Sequence, residues 1–134
     1  MTKEWVQPKD AAHRLFRAVG DVKDSSGHVL VTAYAVLRPD AQWSVLLINK
    51  DHDHDHAVRI VFDDSEARTK RGFAGPVTMI TFGKNQYQWH PARTNGYADP
   101  DGPAASSTIA GADTTIYTLP AASVSVLRGK LTGE

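Results

Sequence analysis

The sequence predicts an all-β protein, an antiparallel two-sheet β-sandwich, with a jelly roll or a closed barrel as the nearest alternative. Three observations carry that prediction. Turn-forming clusters recur at short, regular intervals: Ser25-Ser26-Gly27, Pro39-Asp40-Ala41, residues 51–56, Gly72 to Pro76, Gly83-Lys84-Asn85, Asn95-Gly96 and Asp99 to Pro103. Between them lie strand-length segments rich in β-branched and aromatic residues. Several of those segments alternate apolar and polar residues with period two, as a strand with one buried face does.

Taken in order, residues 1–12 read as an N-terminal tail and His13 to Val19 as a first short strand. His28 to Leu37 and Gln42 to Lys50 are apolar on both faces, which suits central strands covered on each side, a neighbouring domain being one candidate cover. Pro39-Asp40 between them reads as a hairpin turn, because proline presets φ and aspartate favours turn geometry. In His56 to Phe62, Val58, Ile60 and Phe62 share one face and Arg59 takes the other. Pro76 to Phe82, Thr114 to Leu119 and Ser123 to Arg128 complete about seven strands; in the last, Val124 and Val126 oppose Ser123 and Ser125, one side core and the other solvent. Residues 91–111 read as a long irregular loop with one short strand at Ser107 to Ala110. Loops that long in a compact domain tend to be functional or to pack on something. The whole of 1–134 reads as one domain.

Bulk properties narrow the function classes. At 134 residues one core suffices, with about two-thirds of the unfolded surface buried. The 15 basic and 15 acidic residues cancel, so no global field draws the chain to nucleic acid or an anionic membrane. No apolar run approaches the roughly 20 residues of a membrane span. With no cysteine, disulfides, thiol catalysis and thiolate metal sites are excluded. Met1 to Trp5 carries no signal-peptide core, so export would require a signal upstream of Met1.

The ordered combination Val31-Thr-Ala-Tyr-Ala-Val36, Arg38-Pro-Asp40, Trp43-Ser-Val-Leu-Leu-Ile-Asn-Lys-Asp51, Gly75-Pro-Val77, Tyr87-Gln-Trp89, Asn95-Gly-Tyr97, Leu119-Pro-Ala-Ala-Ser123 and Val126-Leu-Arg-Gly129 resembles a bacterial domain class. It is similar to the C-terminal β-sandwich that follows the (β/α)8 barrel in glycoside hydrolases of the family 39 and family 51 type. The resemblance covers about residues 28–129. It implies a secreted or periplasmic appendage of a larger enzyme, whose partner is a glycoside hydrolase catalytic domain or a plant cell-wall polysaccharide. The catalytic carboxylates of such enzymes sit on the barrel, so the resemblance assigns no catalytic residue to this chain. One departure is the loop after Asn49-Lys50-Asp51, which is unusually dense in histidine.

Two constellations are candidates for chemistry. If Asp51-His52-Asp53-His54-Asp55-His56 is extended, His52, His54 and His56 project to one side as a ligand set for Zn²⁺, Cu²⁺ or Ni²⁺, with His90 or His13 completing it if the fold brings one near. Otherwise the run is a solvated turn. The second group is Tyr87, Trp89 and Tyr97 with Gln88, His90, Arg93, Asn95 and Asp99 interleaved. Sugar rings stack on exposed aromatic rings while polar neighbours bond the hydroxyls, so this is a candidate glycan site; the other reading is that the rings pin the long loop or fill a contact to a barrel. Trp43, sharing a face with Val45 and Leu47, reads as packing. Hydrolytic motifs do not assemble: no G-x-S-x-G and no P-loop occurs, and pairs such as Asp63-Asp64 or Asp99 with Asp101 sit in turns. Together with this, the resemblance implies a non-catalytic accessory domain of a carbohydrate-active enzyme, a structural partner of its catalytic barrel or a weak carbohydrate-binding module. The alternative is a stand-alone metal-binding β-protein.

Overall fold

The computed structural model describes residues 1–98 and 102–133. In chain order it contains α1 (Thr2–Trp5), β1 (Arg14–Phe16), β2 (Val31–Leu37), β3 (Trp43–Asn49), β4 (His56–Arg59), β5 (Phe62–Asp64) and β6 (Thr69–Arg71). There follow β7 (Phe73–Gly83), β8 (Trp89–His90), β9 (Tyr97–Ala98), β10 (Ala105–Gly111), β11 (Ile116–Leu119) and β12 (Ser123–Leu131). Six of them form one antiparallel sheet in the order β1-β2-β3-β12-β7-β10, and β4 with β11 and β5 with β6 form smaller pairs. Among the described residues the fold is almost entirely β and no barrel closes, as a sandwich requires.

Register decides which side chains share a face. Val31 and Asn49 are paired, as are Asn49 and Ser123, and Leu127 lies opposite both Val45 and Met79. Val31, Ala35, Val45, Leu47, Met79 and Leu127 therefore stand on one face, the front, and all are buried. Tyr117 and Leu119 of β11 and Val58 of β4 cover that face as the second layer. An aromatic ladder ties the layers: Phe16, Trp43, Phe62, Phe73 and Tyr117 follow one another at centroid separations of 4.8, 5.0, 5.2 and 6.5 Å, mostly edge to face. That geometry is the one aromatic quadrupoles favour.

The hairpin at Pro39-Asp40 forms as expected, with Arg38 donating its N–H to the Gln42 carbonyl and Ala41 held at φ 61°. The segment 56–62 breaks after Arg59, yet Val58, Ile60 and Phe62 all turn to the core. Two expectations are corrected. β12 does not divide into a core side and a solvent side: Ser125 is fully buried and Ser123 nearly so, while Val126 is buried on the opposite face. Register puts the serines on the front, with Leu47 and Leu127, and the valines on the back, where Val124 is only half-buried; Ser125 Oγ meets Thr81 Oγ1 at 2.9 Å and Ser123 Oγ donates to the Pro120 carbonyl at 2.6 Å. Nor does the start of the segment 1–12 hang free. Arg128 Nε donates to Glu4 Oε2 at 2.6 Å, Ser44 Oγ to the Glu4 carbonyl at 2.8 Å, and Arg38 Nη1 to the carbonyls of Lys3 and Glu4 at 3.2 and 2.9 Å. α1 is thereby seated on the back of β3 and β12 by polar bonds that its own four residues could not replace.

The rest of the back face is mostly apolar. Beyond the Ser44–Arg128 row that α1 covers, Tyr34, Leu46, Val126 and Ile80 form one cross-strand row, ending at Ser106, and Thr32, Ile48, Val124 and Phe82 form the next. Tyr34 is exposed, and Leu46, Ile48, Val124 and Phe82 are half-buried.

Candidate functional site

β7 and β10 are the stems of one long hairpin. Thr81 pairs with Ala105, the Gln86 carbonyl accepts the Gly102 N–H at 2.9 Å, and further out His90 pairs with Tyr97. Residues 84–98 thus carry an arm beyond the end of the sheet, turning at Arg93–Asn95. The expected loop 91–111 is shorter than its composition suggests, because Ala105–Gly111 is a full strand; β7 offers a complete partner edge, and that outweighs the weak strand propensity of Ala, Ser and Gly.

The arm displays the aromatic group. Tyr87, Trp89 and Tyr97 are 43, 54 and 59% exposed, and Gln88, Arg93 and Asn95 are exposed beside them. Cross-strand pairing divides the rings. His90 and Tyr97 are opposite one another and stack at 5.0 Å and 23°, while Trp89 pairs with Ala98 on the other face. Trp89 lies over Gly96, where a methyl group would come within 2.5 Å of the ring. The absent side chain at 96 is what lets the indole lie against the backbone with its outer side free. Trp89 and Tyr97 therefore do not form one stacking platform. Asp99, also named for this group, lies outside the described residues, as does Asp101.

The Asp/His run leaves the same end of the sheet, since β3 ends, β7 ends and β12 begins there in register. It is bent, not extended. Asp51 Oδ1 accepts the N–H groups of Asp53 and His54 at 3.0 and 3.1 Å, and His54 Nδ1 lies 3.3 Å from it; His56 Nε2 donates to Asp51 Oδ2 at 2.8 Å. His52 turns outward to Asp53 at 3.0 Å. The histidines spread around a carboxylate hub instead of sharing one side, because a short aspartate side chain closes the turn on its own backbone. His13 lies at the opposite end of the sheet, before Arg14, whose partner is Leu37. Among the described residues no group of three or more His, Asp or Glu is arranged to hold a metal ion.

These bonds favour the charged form of Asp51, foremost the Asp53 N–H and then the His56 imidazole, and hold its carboxyl far below the usual carboxylate range. A carboxyl depressed in the folded state stabilises it fully above its unfolded value of about 4, and that contribution is lost as the pH falls below it. The melting temperature of the wild type should therefore fall more steeply between pH 4 and 2 than that of Asp51→Asn. Parallel acid limbs in a calorimetric pH series would exclude Asp51 as the anchor.

A third feature had no sequence signal of its own. Between the front face near β1 and β2 and the pair β5–β6 opens a cleft of about 800 Å³. Phe16, Ala33, Trp43 and Ile60 line its depth, and Arg17, Arg59, Asp21 and Glu66 stand at its mouth. It exists because the second layer is narrower than the six-stranded sheet. The strands of 31–47 are apolar on both faces in the sequence, which signals cover on each side, but the width of that cover is not encoded locally.

No family model matches the chain, and no curated protein matches it in sequence. Its fold is similar to part of Cel44A, a family 44 endoglucanase from Clostridium thermocellum, with a TM-score of 0.50 and 17% identity over 75% of this chain and 17% of that one. It is also similar to part of a thermostable family 51 α-L-arabinofuranosidase from Thermotoga petrophila RKU-1, with a TM-score of 0.50 and 13% identity over 78% of this chain and 20% of that one. The chain thus spans a fifth or less of these two enzymes and shares its fold with that part of each.

Proposed function

We propose that this chain is a non-catalytic accessory domain of a carbohydrate-active enzyme, held against a catalytic domain through the back of its large sheet. The observation that carries this reading is the second apolar face. A sandwich complete in itself turns the outer side of its sheet to water with polar residues. Here Tyr34, Leu46, Ile48, Val124 and Phe82 occupy that side beyond α1 and remain exposed or half-buried. The architecture shared with segments of glycoside hydrolases supplies the kind of partner.

Glycan binding by the arm is the second reading, favoured by the free outer side of Trp89 with Tyr87 two residues before it. Native affinity electrophoresis in gels containing xylan, arabinan, cellulose derivatives or pectin separates the two. The structural role predicts unchanged mobility in each gel and no reducing sugar released from any polymer. Retardation by one polymer that Trp89→Ala abolishes would move the function to the arm, and release of reducing sugar would overturn the non-catalytic assignment.

A further inference from the structure

The two edges of the six-stranded sheet are guarded very differently. An edge strand presents unpaired N–H and C=O groups along its outer side, and proteins protect such edges with shortness, charge, proline or a bulge. β1 uses two of these devices: it is three residues long and begins with Arg14, with Arg17 directly after it. β10 at the other edge uses none. Its seven residues, Ala105-Ser-Ser-Thr-Ile-Ala-Gly111, contain no charge and no proline, and all seven pair with β7 in unbroken register from Ala105↔Thr81 to Gly111↔Gly75. The strand is exposed at most of its positions. Among the described residues a side chain reaches the edge at its end, where Thr115 Oγ1 donates to the Ala110 carbonyl at 3.4 Å.

We infer that β10 is an association edge, and that its partner is β10 of a second copy of this chain, the two six-stranded sheets joining into one across a two-fold axis at Thr108. Antiparallel pairing about Thr108 sets Ser107 against Ile109 and Ser106 against Ala110. Every pair then joins residues of like parity, so the front faces of the two copies stay on the same side of the joined sheet. No charged side chain meets another across the seam, and small Ser, Ala and Thr side chains allow the strands to approach their ordinary spacing of about 4.8 Å. A two-fold contact needs a self-complementary patch, which an uncharged strand centred on its own middle residue provides.

Sedimentation equilibrium over a range of protein concentrations tests this. The wild type is expected to approach twice the mass of the chain as concentration rises. Thr108→Lys and Thr108→Glu should each remain monomeric with an unchanged far-UV spectrum, because like charges would then face one another at the axis. Mixing the two variants in equal amounts should restore the dimer. Amide exchange supplies a second readout without substitution, since alternate amides of 105–111 should slow as the wild-type concentration rises. A wild type that stays monomeric, a Thr108→Lys protein that still dimerises, or β10 amides indifferent to concentration would each overturn the assignment.

Discussion

Replacing Phe73 by alanine is expected to lower the stability of the fold by about 3–5 kcal/mol, the range for truncating a fully buried phenylalanine. The side chain is 1% exposed and stands at the point where the layers meet, with the Phe62 ring 5.2 Å away on one side and Tyr117 6.5 Å away on the other. Its surroundings cannot collapse into the space left behind. Gly129 already brings backbone against it: a methyl there would come within 3.0 Å of the Phe73 ring. The void would therefore persist and add its own cost to the lost transfer energy. Thermal unfolding should show a melting temperature lower by on the order of 15 °C for a domain of this size. Phe62→Ala is the natural comparison, because that ring is only half-buried at the cleft and should cost clearly less. Equal losses at the two positions would mean that the ladder is not centred on Phe73.

Much of the strand inventory was legible because it depends on local chemistry. The Pro39-Asp40 turn, the pairing of β2 with β3, and the common face of Val58, Ile60 and Phe62 follow from turn residues and period-two patterning. What patterning did not show was the position of a strand within the sheet. In Ser123 to Val126 the valines read as core and the serines as solvent-facing, but register turns the serines to the front with Leu47 and Leu127, where buried hydroxyls are accommodated once each finds a partner such as the Pro120 carbonyl or Thr81 Oγ1. The N-terminal segment was read as a tail for a related reason. Its anchors, Arg38 and Arg128, lie 34 and 124 residues from their partner Glu4, far beyond any local window.

The candidate sites were legible in composition and not in geometry. Tyr87, Trp89 and Tyr97 are exposed, as residues in a polar, loop-rich stretch should be. Whether Tyr97 shares a face with Trp89 depends on one register, His90 against Tyr97, and a shift by one residue would have placed the two rings side by side. The Asp/His run shows the same limit. Alternation of Asp and His suggests an extended ladder of imidazoles, but Asp51 can close an Asx turn on Asp53 and His54, and once it does the alternation no longer describes which side each ring takes.

That turn is itself held from below, which makes Asn49→Ala the second large effect, expected at about 3 kcal/mol. Asn49 is 1% exposed, and its Nδ2 donates to the carbonyls of His54, Leu119 and Pro120 at 3.1, 3.3 and 2.9 Å while its Oδ1 accepts the Asp51 N–H at 3.0 Å. One side chain thus ties the end of β3 to the Asp/His loop and to the turn between β11 and β12. Alanine would strand those groups, and each buried polar group left unpaired costs about 1–3 kcal/mol, less where water can reach it. The Leu119 carbonyl is the one most enclosed, so water repairs only part of the loss. The bonds from Ala122 N–H to the Asp51 carbonyl and from Ala121 N–H to Asp55 Oδ1 remain, which is why unfolding should stay cooperative. Denaturant titration should show the lowered midpoint, and amide exchange should show Asp51 and Ala122 opening faster than the strands around them. His54→Ala separates this account from one in which the histidines organise the loop. The imidazole is largely exposed and only its carbonyl meets Asn49, so removing the ring should cost well under 1 kcal/mol. A loss at His54 as large as that at Asn49 would transfer the anchoring role from the buried amide to the histidine side chain.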